Sequence, residues 1–343
     1  MQVLTVSHLH KRFNLEAGFF ARFGRFVNAV NDISFSIGKN ESYGLVGESG
    51  CGKTTTARML VRMYEADSGE ILFHHGEAAA DNAVAVASLQ KEELRQYREK
   101  VRYVFQDPAR SLNPRMSVYE VLVSGCRRPL RRLGVSEKEL REKAAAILEE
   151  VGLQAADLEK RPSEFSGGQR QRISIARALL MEPELLICDE VVSALDVSIQ
   201  GQILNLLLDI REKRDMSFLF IAHDLKVACY FCDRIGVMYR GELMEEAPAA
   251  ELYKEGLHPY TQLLFSSAAG INEGGKSPPS LQPAYGGLPL PPSKGTPSTG
   301  ASAAASCSFA PRCPQAAECC FREHPALCEI GAGHSIRCFN FKK

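Results

Sequence analysis

Short apolar runs along the chain predict buried strands that alternate with helix-compatible segments. The runs are Tyr43–Val46, Val101–Phe105, Glu184–Glu190 and Phe218–Ala222. Residues 1–13 also alternate in the manner of a strand, whereas Thr55–Met63 and the amphipathic Glu137–Val151 follow helical spacing. The residues with candidate chemistry lie where a run ends or where a helix begins.

The segment after the first run matches the phosphate-loop pattern G-x-x-x-x-G-K-[ST] in its required setting between a strand and a helix. Glycines let successive backbone N–H groups face phosphate oxygens, and the helix start adds partial positive charge. We expect Lys53 to reach the outer phosphates and the Thr54 hydroxyl to ligate Mg²⁺. The predicted phosphate-loop residues are Gly47, Glu48, Ser49, Gly50, Cys51, Gly52, Lys53, Thr54 and Thr55.

A second candidate anion site lies at Ser166–Gly168, which opens a helix-compatible stretch ending near Leu179. Serine is a favourable N-cap residue. Its hydroxyl and the glycine N–H groups would face an anion at the helix start, with Arg170 and Arg172 adding charge. A bare Ser-Gly-Gly is more often only a turn, so the interpretation depends on the acidic residues further along the chain.

An acidic pair, Asp189 and Glu190, ends the next apolar run. A carboxylate at the end of a strand is suited to hold Mg²⁺ through water, which is the role expected for Asp189. Glu190 would orient or deprotonate an attacking water. The alternative is that both acids only cap a helix.

Taken together, these motifs resemble the ATP-binding cassette (ABC) ATPases over roughly residues 1–265. The resemblance implies an α/β fold: a P-loop NTPase with a RecA-like core, an antiparallel β subdomain and a helical subdomain at about residues 107–165. It also implies that ATP is sandwiched in a head-to-tail dimer. The phosphate loop of one subunit would then face the signature of the other, which is formed here by Ser166, Gly167, Gly168 and Gln169.

The same resemblance assigns further roles. Gln106 is similar to the Q-loop residue that senses Mg²⁺ and the attacking water, and His223 to the switch histidine that contacts the γ-phosphate. Asp196 belongs to the D-loop, which crosses the dimer seam. Gln106 could instead be a buried-edge residue and His223 a structural one. The implied catalytic residues are Glu190, His223 and Gln106, and the implied Mg²⁺ ligands are Thr54, Gln106 and Asp189.

Three residues leave questions within this resemblance. Phe13 is expected to stack on adenine, although the aromatic-basic insertion after it could supply the ring or merely pack; its aromatic residues are Phe19, Phe20, Phe23 and Phe26. Val191 stands where these ATPases usually carry proline, but we expect hydrolysis because both carboxylates remain. Cys51 is interpreted as a tolerated small residue in preference to a redox switch.

Composition excludes some functional classes. The 343 residues include 41 basic and 41 acidic side chains, so net charge offers no general attraction to nucleic acid. Nowhere do eighteen apolar residues follow one another without a charge, so the sequence is not expected to cross a membrane. With 45% hydrophobic and 24% charged residues, the composition agrees with a soluble cytosolic enzyme that has a large core.

Two local matches, Gln106–Arg115 and His258–Gln262, resemble the ATP-binding subunits of oligopeptide, dipeptide and nickel importers. The helical stretch Ser117–Glu164 would then receive two transmembrane permease subunits. Implied further partners are a second, similar ABC ATPase and, indirectly, an extracytoplasmic substrate-binding protein. The implied location is the cytoplasmic side of the cell (inner) membrane. The alternative is a soluble ATPase that acts as an interaction or redox-sensing protein, and an exporter is disfavoured.

Composition changes twice towards the C-terminal end. Residues 266–306 are rich in Gly, Pro and Ser and predict a flexible linker, whereas residues 307–343 contain six of the eleven cysteines. So short a segment buries little core, and a cytosolic protein should not rely on disulfides, so metal ligation is predicted. The resemblance to the importer subunits implies a four-iron four-sulfur cluster, with zinc or unliganded thiols as alternatives. The implied ligands are Cys307, Cys313, Cys320 and Cys338, for which Cys319 or Cys328 could substitute.

Overall fold

The computed structural model describes residues 1–14, 26–75, 83–269 and 306–341. Phe19, Phe20, Phe23 and most of the predicted linker 266–306 lie outside the described residues. The chain divides into two compact units, each assembled from separate stretches of sequence. The first unit comprises Met1–Leu4, Ile37–Ser42 and Leu72–Ile221, and the second comprises Thr5–Ser36, Tyr43–Ile71 and Ala222–Lys343.

The described chain contains both strands and helices. The strands are β1 Gln2–Asn14, β2 Phe26–Gly38, β3 Ser42–Val46, β4 Ser68–His74, β5 Ala83–Ala85, β6 Val101–Val104, β7 Leu185–Asp189, β8 Ser217–Ala222, β9 Arg234–Tyr239, β10 Glu242–Pro248, β11 Cys328–Gly331 and β12 His334–Ile336. The helices are α1 Lys53–Leu60, α2 Lys91–Lys100, α3 Pro108–Ser111, α4 Val118–Val123, α5 Arg127–Arg132, α6 Glu137–Glu150, α7 Gly167–Leu179, α8 Val197–Arg214, α9 Leu225–Phe231, α10 Ala249–Lys254, α11 Pro259–Ala269 and α12 Glu318–Arg322. Together they confirm the α/β class.

The first unit is built on the parallel strands β6, β7 and β8, in the order β8-β7-β6. Every residue of β7 and β8 is buried, as expected for parallel strands covered on both faces. These strands correspond to three of the predicted apolar runs, so those strand predictions are confirmed. The parallel register brings the end of β7, at Asp189, beside Ile221 of β8.

Helices of the first unit pack around α7, which contacts α3, α4 and β6. The predicted amphipathic helix is observed as α6, beginning at the N-cap Ser136. Its buried positions recur at helical spacing, and they are Leu140, Ala144, Ile147 and Leu148. The segment expected to form a helical subdomain therefore does consist mainly of helices.

The second unit contains strands in the order β11-β12-β10-β9-β3. A further sheet has the order β2-β1-β4-β5. Strand β3 pairs in parallel with β9, whereas β9, β10, β12 and β11 pair antiparallel. No helix in the described part of the chain is long and apolar enough to span a bilayer.

The expected separate cysteine-rich segment at the C-terminal end is not supported. Strand β12 pairs with β10 and extends its sheet. The physical cause is a set of buried acids on β10. Glu242 lies 2.9 Å from His324 Nε2, and Glu245 lies 2.9 Å from His334 Nε2, so docking of the tail adds hydrogen-bond partners to two buried carboxylates.

Candidate nucleotide-binding site

The phosphate loop begins where the fully buried strand β3 ends. Gly52 caps α1 in the left-handed region, with φ of 112°, and a Cβ atom there would lie 2.1 Å from the Ala29 carbonyl oxygen. Only glycine fits such a backbone without displacing the neighbouring chain. The first turn of α1 contains no acid, and no side chain among the described residues caps it. A helix start of this kind is suited to bind an anion, and phosphate binding by this loop stays a prediction.

Lys53 lies inside this loop. Its side chain is buried, and Nζ donates hydrogen bonds to the carbonyl oxygens of Gly47 at 2.7 Å and Glu48 at 2.9 Å. The ammonium is therefore held against the loop backbone. Thr54 and Thr55 follow it, half-buried, in the first turn of α1.

Cys51 is buried in the same loop, with Sγ 3.7 Å from Lys53 Nζ. Burial raises the pKa of this thiol, against the opposing effect of the lysine charge. The thiol is consequently protonated at neutral pH and weakly nucleophilic, which fits the interpretation of Cys51 as a small packing residue.

Phe13 lies near the end of β1 and is half-buried. Its ring meets the edge of Tyr64 at a centroid distance of 5.4 Å, and Lys11 Nζ lies 5.5 Å from its centroid. The ring is anchored but keeps an accessible part. Its role towards adenine stays a prediction.

The acidic pair lies at the end of β7 in the first unit. Asp189 is 2% exposed, and Tyr103 donates its hydroxyl hydrogen to Asp189 Oδ2 at 2.6 Å. Gln106 Nε2 donates to Glu190 Oε2 at 2.6 Å. The structure thus brings together Gln106, Asp189 and Glu190, three of the residues that the sequence selects for hydrolysis.

The backbone at Glu190 is unusual. Its φ of 50° lies in the left-handed region, and its N–H donates to the Ile221 carbonyl oxygen at 3.0 Å. Non-glycine residues adopt this conformation at a cost of roughly 1–2 kcal/mol. The turn continues through buried Val191 and is closed by Ser193, whose N–H and hydroxyl both donate to the Glu190 carbonyl oxygen. Hydrogen bonds therefore hold this turn without the usual proline.

The signature residues form the start of α7. Ser166 is its N-cap, as the sequence predicts, and a capping box joins it to Gln169, because Ser166 Oγ accepts from Gln169 N and Gln169 Oε1 accepts from Ser166 N. Gly168 is packed against α8, since a Cβ atom there would lie 2.7 Å from Ile199 Cγ2. Ser166, Gly167 and Gln169 are exposed.

The D-loop residue Asp196 is the N-cap of α8 and is also exposed. The next residue, Val197, is 84% exposed, which is unusual for an apolar side chain at a helix start. His223 follows β8, is exposed, and belongs to the second unit together with the phosphate loop. Gln106, Asp189, Glu190, the signature and Asp196 belong to the first unit.

The cysteine prediction finds no support in the structure. Cys307 and Cys320 are buried, and Cys313 and Cys338 are half-buried. Burial, with smaller contributions from the other three thiols, raises the pKa of Cys313 to about 11. Among the described residues, no group of three or more His, Cys, Asp or Glu side chains is arranged to hold a metal ion. The described structure therefore gives no support for a four-iron four-sulfur cluster or a zinc site at these thiols.

Two residues near the phosphate loop were missed by the sequence interpretation. The Tyr260 hydroxyl accepts a hydrogen bond from Glu48 N at 2.9 Å, and Arg312 donates from Nη1 and Nη2 to both Glu48 carboxylate oxygens at 2.8 Å. Both residues lie in short motifs of unusual composition, His-Pro-Tyr and Pro-Arg-Cys-Pro. The motifs could have marked them as candidates, but nothing in their spacing indicates residue 48 as the partner.

Comparisons with known proteins agree with this geometry. Residues 30–193 match a family model described as ABC transporter, and residues 244–320 match one described as oligopeptide/dipeptide transporter, C-terminal region. The oligopeptide transport ATP-binding protein OppF of Bacillus subtilis is 46% identical over 266 residues, covering 78% of this chain and 82% of that protein. AppF of the same organism, also an oligopeptide transport ATP-binding protein, is 40% identical over 340 residues, covering 98% and 96%.

Solved structures show the same fold. CbiO1 from Clostridium perfringens, part of the ABC transporter complex cbiONQ, has a TM-score of 0.61 at 26% identity and covers 74% of this chain and 92% of its own. The ATP-binding cassette MJ0796, solved as a dimer in a post-hydrolysis state with ADP and Pi, has a TM-score of 0.59 at 26% identity and covers 72% and 98%. The chain therefore belongs to the ABC transporter family, among the ATP-binding subunits of the oligopeptide/dipeptide type.

Proposed function

We propose that this chain is the ATP-hydrolysing subunit of an importer for oligopeptides, dipeptides or a related small ligand. The main support for the proposal is the hydrogen bond between Gln106 and Glu190 beside Asp189. It occurs in a chain that matches an oligopeptide transport ATP-binding protein over 98% of its own length. A carboxylate fixed by an amide next to a second carboxylate supplies both a base and a metal ligand.

Each residue has a defined part in this reaction. The loop N–H groups and Lys53 bind the β- and γ-phosphates of the substrate ATP. Thr54, Gln106 and Asp189 would hold Mg²⁺ through hydroxyl, amide and carboxylate oxygens, which are the donors that this ion prefers, and the ion would neutralise phosphate charge. Glu190 holds the attacking water and accepts its proton, while His223 contacts the γ-phosphate.

Two copies of the cassette, or this chain and a similar ATPase, close around ATP in the proposed mechanism. Support comes from the outward-facing polar groups of Ser166, Gly167 and Gln169, together with the exposed Asp196 and Val197. Such a surface is suited to a partner that brings phosphate to it, because the helix start offers N–H groups and partial positive charge. Hydrolysis removes the γ-phosphate contacts, so the pair reopens.

The proposed partners are two permease subunits, which would dock on the helical segment at about residues 107–165, with a substrate-binding protein outside the membrane. The corresponding location is the cytoplasmic face of the cell (inner) membrane. No observation favours the soluble sensor. The metal site in the tail stays a prediction without structural support, and elemental analysis of the purified full chain for iron and zinc tests it.

Uptake of peptide tests the proposal. In cells that lack this chain, the parent sequence should restore uptake of a labelled tripeptide, while Glu190→Gln should not, because loss of a general base slows turnover by ~10²–10⁴-fold. Glu212→Gln, an exposed acid on α8, is the matched control and should restore uptake. Labelled Ni²⁺ distinguishes a nickel importer. Tripeptide uptake that is the same with and without the chain contradicts peptide import.

A further inference from the structure

Two residues from far along the chain form hydrogen bonds with the phosphate loop. Arg312 meets the Glu48 carboxylate with both terminal nitrogens at 2.8 Å, and Tyr260 receives the Glu48 N–H at 2.9 Å. One loop residue is thereby held at its side chain and at its backbone. The sequence interpretation gave Tyr260 and Arg312 no part in nucleotide chemistry.

Tyr260 and Arg312 are both held in place by packing. Tyr260 is fully buried at the start of α11, and its ring lies 4.8 Å from that of Tyr239 and 5.3 Å from that of Phe309. The Arg312 guanidinium lies 5.6 Å from the Tyr239 centroid and 6.0 Å from that of Phe309, and its side chain is 13% exposed. Packing on aromatic rings fixes the direction of the guanidinium before any nucleotide arrives.

The hydrogen bonds to Glu48 matter for phosphate binding because this residue carries a negative charge. A carboxylate within a loop that receives polyphosphate repels it, and the repulsion is strong where water is partly excluded. The Glu48 side chain is 34% exposed, so it is not removed from the loop surface by burial. A bidentate guanidinium both cancels this charge and fixes the oxygens in place.

We propose that Arg312 is a positioning residue for ATP binding, which keeps the phosphate loop receptive by neutralising and anchoring Glu48. Tyr260 assists by fixing the Glu48 amide. The inference rests on the proposed ATP-binding function and extends it. Tyr260 and Arg312 both fall within the stretch 244–320 that matches the oligopeptide/dipeptide C-terminal model. A segment particular to this transporter type therefore affects ATP binding at the phosphate loop.

The test measures the dissociation constant of ATP by calorimetry on the full chain. A Glu190→Gln background and Mg²⁺ are used so that the nucleotide survives the titration. Arg312→Ala should weaken ATP binding on the order of tenfold, or ~1.4 kcal/mol. Arg322→Ala is the matched control, because it removes an exposed tail arginine whose partner is Glu318. Its dissociation constant should equal that of the parent.

A double variant separates charge from structure. Replacing Glu48 by Gln in the Arg312→Ala chain removes the carboxylate left without its partner, so the affinity should recover to within about threefold of the parent. A merely structural role of Arg312 predicts no recovery. Arg312→Gln keeps a polar side chain without charge, and it carries the test if thermal denaturation shows that Arg312→Ala does not fold.

Two outcomes overturn the inference: ATP affinity of both Arg312 variants within about twofold of the parent, or a double variant that remains as weak as the single one. A parent chain that binds no ATP would instead overturn the proposed function. The two failures are therefore distinguishable in one set of titrations.

Discussion

The starts of α1 and α7 offer the same backbone groups to an anion but are built in opposite ways. At α1, glycine at residue 52 leaves the helix without a side-chain cap among the described residues, and the charge is supplied by buried Lys53. At α7, Ser166 and Gln169 cap the helix reciprocally and remain exposed. The first surface, at the start of α1, is thus completed by its own chain. The second surface, at the start of α7, presents its groups outward.

This difference indicates that the two surfaces have different roles in ATP binding. A surface with its own buried cation and a fixed loop can bind ATP in one chain. An exposed, self-capped helix start adds its contacts only when a partner presents the phosphates. Substitutions at the two surfaces should therefore have effects of different kinds, not only of different sizes.

The largest effect is expected at the first surface. Lys53→Ala removes the buried ammonium that lies against the Gly47 and Glu48 carbonyl oxygens, so ATP affinity should fall on the order of a hundredfold or more, as for other buried charge contacts. Calorimetric titration of the full chain measures it. Lys138→Ala, with an 88% exposed side chain, should leave the affinity as it is. Equal affinities of the two variants would contradict the role of Lys53.

A different loss is expected at the second surface. Ser166→Ala should leave ATP affinity of the single chain unchanged but lower ATP turnover of the detergent-extracted transporter on the order of tenfold, since one charge-assisted contact to phosphate is lost.

Ser136→Ala is a matched control, because Ser136 forms the same capping box with Glu139 at the start of α6. Both variants should lose about 1 kcal/mol of stability from the missing cap. Only Ser166→Ala should lose turnover, and an equal loss in both would reduce the signature serine to a structural cap.

The two surfaces also differ in how well the sequence predicts them. Local pattern was sufficient for the phosphate loop, for the N-cap at Ser166 and for the strand that ends at Asp189, because strand, turn and helix signals are all contained within a few residues of each site. The role of Gln106 was assigned only through the family resemblance, and its contact with Glu190, which bridges 84 positions, was not predicted.

Contacts made by the C-terminal part had no comparable signal. Tyr260 and Arg312 lie 212 and 264 positions from Glu48, and no periodicity connects them. The cysteine count suggested a small separate region, but the tail pairs with β10 and its histidines contact the buried acids of that strand. A buried carboxylate in a strand otherwise rich in acids, as at Glu245 in Glu242–Pro248, cannot be distinguished from an exposed one by composition.

The smallest effect is expected where this C-terminal part joins β10. His334 Nε2 lies 2.9 Å from Glu245 Oε1, and Nδ1 lies 3.7 Å from Glu251 Oε2. The hydrogen bond with Glu245 raises the pKa of His334 above its ordinary value of 6.5, despite the opposing effect of burial. Because the folded pKa exceeds the unfolded one, the stabilisation is fully present below pH 6.5 and is lost as pH rises through the folded pKa.

His334→Gln keeps an N–H donor for Glu245 but cannot carry the charge. In urea titrations, the free energy of unfolding of the parent chain should therefore exceed that of the variant by on the order of 1 kcal/mol at mildly acidic pH. The difference should shrink towards alkaline pH. A constant difference across the pH range would mean that His334 contributes by packing and not by charge.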